Sequence, residues 1–200
     1  MNLEIILATG NQHKLKEVRE ILSPHGITAY GLKDVNIDIG EVEENGKDYY
    51  ENALIKAKAV QQFTNLPIIA DDTGLEIDAM DNKPGLYTAR FAQECGGHDK
   101  AFAKIFNILK DKDNRKARFI CDIVLLNVED KPLRFEGIVE GKIADKIEGE
   151  GGFGYDPIFI PDEVGVSYAK MPQEVKNKVS HRAKALIKLI TYLRVSDLAR

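Results

Sequence analysis

The sequence predicts an α/β fold, in which helices flank a mixed β-sheet and two lobes surround a central cleft. Strand-like and helix-like segments alternate in the first half of the chain, and a long hairpin pattern follows in the second half. Alternation of this kind builds parallel strands, whereas a hairpin adds antiparallel ones. The 200 residues, 44% of them hydrophobic, are enough to bury the core of a single two-lobed domain spanning 1–200.

The first half of the chain predicts strands and helices in turn. Residues 3–8 are expected to form a buried strand, because the segment is short, apolar and β-branched. Residues 14–22 place their apolar side chains on one stripe, as an amphipathic helix does. A second strand region over 27–39, a helix over 49–63 and a short buried strand over 66–70 follow.

The second half predicts one more helix before the hairpin and one after it. Residues 99–109 are amphipathic, and residues 117–127 and 133–143 form the two arms of the hairpin. A glycine-dense loop over 149–154 comes next, and the last helix is predicted over 173–193.

Composition restricts the partners and the compartment. The formal net charge of -4 disfavours a nucleic-acid partner, because such proteins carry a basic face. No apolar run approaches the roughly 20 residues of a membrane helix, so no membrane partner is expected. The start of the chain lacks the basic region of a signal peptide. Cys95 and Cys121 are too few for a disulfide scaffold, and a reducing, cytoplasmic location is expected.

The segment between the first strand and the first helix has the residues of a phosphate-binding turn. Gly10 permits a tight turn, the N–H groups at the start of the helix attract anions, and Lys14 adds a positive charge. Thr9 and Asn11 supply neutral hydrogen bonds. The Walker A pattern is absent from the sequence. An ordinary turn in which Asn11 caps the helix is the alternative.

Two acidic pairs form the second motif. Glu43 and Glu44 precede the helix over 49–63, and Asp71 and Asp72 lie at the expected carboxyl end of a buried strand. Adjacent buried aspartates repel each other unless a cation neutralises them, and Mg²⁺ commonly binds one or two carboxylates together with substrate phosphates. For the aspartates we favour a functional site over a capped turn. The glutamates, taken alone, are interpreted as a solvated turn.

The glycine-dense loop carries the third motif. Glycines on both sides of Phe153 let the backbone approach a ligand while the ring offers a stacking face. Asp156 precedes Pro157, which is expected to hold it in an extended conformation with its carboxylate aimed at a base edge. A rigid turn with Phe153 and Phe159 in the core explains the pattern equally well.

The fourth motif lies near the start of the predicted last helix. Arg182 offers a rigid fork of donors, and His181 donates or accepts with either ring nitrogen. Together they are suited to read a carbonyl oxygen on a purine. A solvated basic helix face explains Lys176 and Lys178 equally well.

The order and spacing of these motifs are more specific than each motif alone. The segments ATGNQHKLKE, EENGKDYYENALIKA, ADDTGLEIDAM, PGLYTARFA, GGFGYDPIF and VSHRAKAL occur in that order. This set resembles the inosine/xanthosine triphosphate pyrophosphatase family, also called the Ham1-like non-canonical purine nucleotide pyrophosphatases. The resemblance implies an elongated α/β fold of two lobes around a cleft, a homodimer, and Mg²⁺-dependent hydrolysis of ITP, dITP and XTP to the monophosphate and pyrophosphate.

The resemblance also implies a role for each motif position. The triphosphate would be held by Thr9, Gly10, Asn11, Gln12, His13 and Lys14. Mg²⁺ would be bound by Glu43 and Asp72, with Asp72 also accepting the proton of the attacking water. Further substrate contacts would come from Thr73, which stands where the family often has Ser, and from Phe153, Gly154, Tyr155, Asp156, Lys176, His181 and Arg182.

Base selection is expected to depend on the six-position oxygen of the purine. Hypoxanthine and xanthine present an acceptor there to donors on His181 or Arg182, whereas adenine presents an amino group and leaves those donors unpaired. How GTP is excluded does not follow from these residues. Two alternatives stay open: a pyrophosphatase for another modified nucleoside triphosphate, and a nucleotide-binding module without hydrolysis.

Overall fold

The computed structural model describes residues 3–196 of the chain, in which strands and helices alternate as far as residue 77. The strands in that range are β1 (Leu3–Leu7), β2 (Ile27–Gly31), β3 (Ile68–Ile77), β4 (Lys83–Gly85), β5 (Lys116–Leu126), β6 (Leu133–Ile143) and β7 (Phe159–Pro161). The α-helices there are α1 (Gln12–Leu22), α2 (Tyr49–Gln61), α3 (Thr88–Cys95), α4 (His98–Leu109), α5 (Gln173–Val179) and α6 (His181–Val195).

The strands form a mixed sheet in the order β2-β1-β3-β5-β6-β7, with β4 paired to β3. Strand β1 is parallel to both β2 and β3, as expected for strands joined through helices. Strand β4 is antiparallel to β3, and β7 is antiparallel to β6. The predicted mixed α/β fold is therefore confirmed, whereas the elongated shape and the central cleft stay predictions.

The described residues divide into two compact units. The first contains 3–72, 121–137 and 182–196. Its strand β1 alternates strictly: Ile5 and Leu7 belong to a cluster with α1 and α6, and Ile6 belongs to another with α2. Successive side chains of a strand point to opposite faces, which is why one short apolar strand serves two helical layers.

The second unit contains residues 73–120 and 138–181. Helix α4 contributes Phe102, Ile105 and Leu109 to its core, at the spacing of a single helical stripe. The rings of Phe119 and Phe159 meet edge to face there, with 4.8 Å between their centroids.

Several predicted segments agree with the structure, and three differ. The hairpin arms are confirmed within one residue at each end as β5 and β6. The strand after residue 66 does not end before Asp71 but continues to Ile77, so the aspartates lie within β3. The strand predicted over 27–39 ends at Gly31, where a 3₁₀ turn begins. The last helix is two helices, because the backbone of Ser180 is extended.

Within residues 3–196, no helix combines the length and the apolar composition that crossing a bilayer requires.

Candidate active site

Asp71 lies at the centre of a charge network in the first unit. Its Oδ2 is 3.0 Å from Nζ of Lys14 and 3.0 Å from Nη2 of Arg182. Arg182 also donates through Nη1 to the carboxylate of Glu17 on α1. Lys14 and Glu17 are one turn apart on that helix, so the network connects α1, β3 and the start of α6.

Burial makes this network strongly coupled. Arg182 is 2% exposed and Asp71 is 2% exposed. Burial by itself raises the pKa of the Asp71 carboxyl, but Lys14, Arg182 and Lys56 hold that pKa well below its usual range. Asp71 is therefore a permanent anion that fixes two cations.

Asp72, the next residue of β3, has different partners. Its Oδ1 is 3.2 Å from Nζ of Lys56, and its Oδ2 accepts a hydrogen bond of 3.2 Å from Nδ2 of Asn52. The same Nζ is 2.9 Å from Oε2 of Glu44. Two carboxylates thus meet one ammonium group, and helix α2 supplies both side chains that bind Asp72.

The pKa values of Asp72 and Lys56 are both raised above their ordinary values. Burial raises the pKa of Asp72 above its ordinary value, and Lys56 and Lys14 only partly offset this. Burial by itself lowers the pKa of Lys56, but Asp72, Asp71 and Glu44 raise it overall, so this lysine stays charged. Asp72 is consequently a stronger proton acceptor than an ordinary aspartate.

The donor set near Asp72 fits a hard cation. Among residues 3–196 no group of three or more His, Cys, Asp or Glu side chains is arranged to hold a metal ion. Asp72 and Glu44 nevertheless present oxygens within 3.2 Å of a single positive group, Nζ of Lys56. A pair of carboxylates with substrate phosphates is a usual ligand set for Mg²⁺.

The start of α1 is a capped turn. Oδ1 of Asn11 accepts hydrogen bonds from the backbone N–H groups of His13, at 2.9 Å, and Lys14, at 3.2 Å. The backbone N–H of Asn11 donates to Oγ1 of Thr9. The cap expected at Asn11 is therefore confirmed. It is compatible with an ordinary turn and with phosphate binding, so the role of this turn in phosphate binding stays a prediction.

In the second unit, Asp156 folds back on its own loop. Its Oδ2 accepts hydrogen bonds from the backbone N–H of Phe153, at 2.7 Å, and from Nζ of Lys176, at 2.6 Å. The extended conformation predicted for Asp156 is wrong, because the residue begins a 3₁₀ turn, Asp156–Ile158. Nζ of Lys176 also lies 4.7 Å from the ring centroid of Phe153, in a cation–π contact.

Two other predicted residues of this unit are part of its packing. The ring of His181 stacks on Phe119 with 4.5 Å between centroids and 11° between planes. The hydroxyl of Tyr155 donates to the backbone oxygen of Thr88 at 2.9 Å, and burial raises the pKa of this buried tyrosine. A direct role for either side chain toward a base stays a prediction.

Comparison with known proteins decides the relationship. A family model described as "Ham1 family" matches residues 5–192 of this chain. The chain belongs to the Ham1 family. A dITP/XTP pyrophosphatase of Geobacter sulfurreducens is 42% identical over 191 residues, covering 94% of this chain and 96% of the relative. One of Bacillus subtilis is 43% identical over 188 residues, covering 93% of this chain and 94% of the relative.

Solved structures agree with this Ham1 assignment. A HAM1 protein from Coxiella burnetii is 36% identical with a TM-score of 0.85, covering 97% of this chain and all of that chain (100%). The Staphylococcus aureus Ham1 protein is also 36% identical, with a TM-score of 0.82, and covers 95% of this chain and 97% of that one. The family resemblance seen in the motifs is therefore confirmed over nearly the full length.

Some predicted site residues of this Ham1 chain are brought together, and others are not. Lys14 and Arg182 meet on Asp71, and Asp72 lies beside them on β3. Glu43 is exposed, and it is Glu44 that reaches Lys56. The metal role predicted for Glu43 stays a prediction.

Sequence reasoning missed three side chains that contact Arg182 or Asp72: Glu17, Asn52 and Lys56. Asn52 and Lys56 are four residues apart in an alanine-rich helix, so they share a helix face. That polar pair was an available signal. Glu17 carried a weaker signal, a charged residue beside the apolar stripe of α1.

Proposed function

We propose that this protein hydrolyses ITP, dITP and XTP to the monophosphate and pyrophosphate, with Mg²⁺ as cofactor. The family and the names of its relatives supply the substrate class. The observation that carries the proposal is the buried Asp72, whose raised pKa and whose contacts with Lys56 and Asn52 equip it as a proton acceptor.

The proposed reaction is an attack of water on the phosphorus next to the sugar. A water oxygen bonds to that phosphorus, the bond from phosphorus to the pyrophosphate oxygen breaks, and the water proton passes to the Asp72 carboxylate. Pyrophosphate leaves with the bonding electrons, so nearby positive charge favours its departure. Lys14 is the side chain that we assign to this charge, with Asp71 holding its ammonium group in place.

The metal site of the proposal comprises Asp72 together with Glu44 or the predicted Glu43. When bound, Mg²⁺ would neutralise phosphate charge and acidify water. Lys56 holds the carboxylates of Asp72 and Glu44 close together by its own charge. We expect this contact to keep the two carboxylates near each other when no cation is bound.

The turn Thr9–Lys14 is proposed to hold the triphosphate, with Asn11 fixing its shape through the helix cap. For the base we propose Phe153 as a stacking ring, beside Lys176 and Asp156. Arg182, assigned to base recognition from its motif, donates to Asp71 and Glu17 in the structure, which favours an indirect role through Asp71.

Assembly and location complete the proposal. The family resemblance implies a homodimer, and the low cysteine content fits a reducing cytoplasm. Light scattering on the purified protein measures the assembly: about twice 22.3 kDa is expected for the dimer.

A panel of nucleoside triphosphates tests the reaction. Pyrophosphate release is measured with ITP, dITP, XTP, ATP, GTP, dUTP and dTTP, each with and without Mg²⁺. We expect the first three to be hydrolysed well above the others, and only with the metal. The control is Asp72→Asn, which should reduce kcat by roughly 10²–10⁴-fold while the protein still binds nucleotide. Preference for dUTP or dTTP, or binding without pyrophosphate release, would overturn the proposal.

A further inference from the structure

Two side chains of helix α2 connect Asp72 to the acidic turn, residues 41–46, which precedes the helix. Each side chain forms one bridge. Lys56 forms one, with Nζ between Asp72 and Glu44. Asn52 forms the other. Its Nδ2 donates to Oδ2 of Asp72 at 3.2 Å, and its Oδ1 accepts from the backbone N–H of Gly46 at 2.8 Å. Each bridge therefore begins at one oxygen of Asp72 and ends on the turn.

The chemistry of the second bridge requires an amide. A carboxylate only accepts hydrogen bonds, and a backbone N–H only donates, so the two partners of Asn52 need opposite ends of one side chain. An aspartate would keep the bond from Gly46 but place two carboxylates together. A leucine of similar shape would satisfy neither partner. Asn52 is also 4% exposed, so water does not readily replace these bonds.

The acidic turn lies close against α2 at this point. A Cβ atom on Gly46 would come within 2.7 Å of Oδ1 of Asn52 and 2.7 Å of Cβ of Glu51. Two further hydrogen bonds hold the same stretch: the Lys47 N–H donates to Oε2 of Glu51, and the Glu51 N–H donates to Oδ1 of Asp48. The turn that carries Glu43 and Glu44 is thus attached to the helix at its end, beside Asp72.

We propose that Asn52 is a positioning residue, which holds the Asp72 carboxylate and the acidic turn at a fixed separation for the reacting groups. The assignment rests on the proposed function for its kinetic consequence, but the contact itself does not. The side chain acts through Asp72 and Gly46 and needs no contact with substrate.

The first test measures the contact by thermal unfolding and needs no activity. Asn52→Asp should lower Tm by roughly 3–6 °C, because two buried carboxylates then face each other. Adding Asp72→Asn should restore at least half of that loss, because the amide and the carboxylate have exchanged places. The matched control is Asn127→Asp, at a side chain that donates to Thr64 and Leu66 backbone oxygens in the same unit. Its effect should add to that of Asp72→Asn without rescue.

The second test separates positioning from a structural role. Asn52→Ala should lower kcat for ITP by roughly 10–100-fold with KM within about threefold, the size expected when a side chain that orients a ligand is lost. Asn127→Asp should leave kcat unchanged at a temperature where it is folded. Equal kcat in Asn52→Ala and the wild type, or equal losses in the two variants, would overturn the proposal.

The proposed function and the positioning role of Asn52 can be refuted separately. If the wild type releases no pyrophosphate from any nucleotide of the panel, the proposed function is wrong, and the Tm cycle alone decides whether Asn52 holds Asp72. If the panel succeeds and Asn52→Asp is not rescued by Asp72→Asn, the proposed function stands and the role of Asn52 is refuted.

Discussion

Asp71 and Asp72 are neighbours in one strand, yet their carboxyl groups are tuned in opposite directions. Lys14 and Arg182 hold the pKa of Asp71 below its ordinary value, whereas burial raises the pKa of Asp72. Side chains at adjacent strand positions point to opposite faces, so each carboxylate meets a different set of partners. The same residue type thus gives one carboxyl that stays ionised and one that binds a proton more readily than usual.

Asp71 should stabilise the protein in a pH-dependent way. A carboxyl group whose pKa is lower in the folded state stabilises the fold above its unfolded pKa, near 3.8, and loses that contribution as pH falls below it. Asp71→Asn should therefore cost about 3–5 kcal/mol of unfolding free energy at pH 7. The difference from wild type should shrink by up to about 1.4 kcal/mol per pH unit below pH 3.8.

Denaturant unfolding at several pH values measures this difference. The control is Asp145→Asn: that carboxyl is 92% exposed and pairs with Arg115 at the surface, so its loss should change the unfolding free energy little. A gap between Asp71→Asn and wild type that stays constant down to pH 3 would contradict the predicted coupling.

In the second unit, strands β6 and β7 approach each other closely at Gly141. Gly141 pairs with Pro161 in that ladder, and a Cβ atom there would clash with the backbone oxygen of Ile160 and lie 2.8 Å from Cζ of Phe159. The sequence shows only a glycine inside a strand pattern, which commonly marks a close approach of another chain segment.

Gly141→Ala should destabilise the protein by about 1–3 kcal/mol, because neither a paired backbone nor a packed ring yields easily. The measurement is guanidinium unfolding. Gly10→Ala is the matched control: that glycine is exposed, a Cβ there would meet no heavy atom within 4 Å, and its stability should stay within about 0.5 kcal/mol of wild type. Equal stability of the two variants would refute the packing argument.

At the scale of the whole molecule, the proposed ligand must bind to a protein whose formal net charge is already -4. A triphosphate adds further negative charge, so binding depends on local cations such as Lys14 and on the metal rather than on the overall field. We therefore expect nucleotide binding to be strongly metal-dependent.

Ligand binding should raise the thermal stability of the protein. An ITP analogue with a methylene group in place of the bridging oxygen between its first two phosphates is not hydrolysed at that bond. At about 100 times its Kd with Mg²⁺, it should stabilise the fold by about 2.7 kcal/mol, which is roughly 5–10 °C in Tm. The ATP analogue at the same concentration should shift Tm less. Equal shifts, or an undiminished shift with EDTA, would contradict the proposed specificity or its metal requirement.

Local patterns were sufficient for most elements and for the family. Apolar periodicity, turn residues and the N-cap at Asn11 act over at most a few residues, so they are visible in the sequence. The same is true of the contiguous motifs that resemble Ham1 proteins. The predicted end of the strand before Asp71 was wrong. Strand β3 continues through Asp71 and Asp72 because Lys14 and Lys56 compensate the burial of their carboxylates. No local sequence pattern shows those partners.

The sequence by itself determined the α/β class, the acidic and basic motifs and the family of this protein. Only the tertiary structure decided which side chains meet. Arg182 binds Glu17 across 165 positions and Asp71 across 111, and Asn52 reaches Asp72 across 20. Such pairs depend on how helices pack on the sheet, because a side chain finds its distant partner only after the backbone between them has folded.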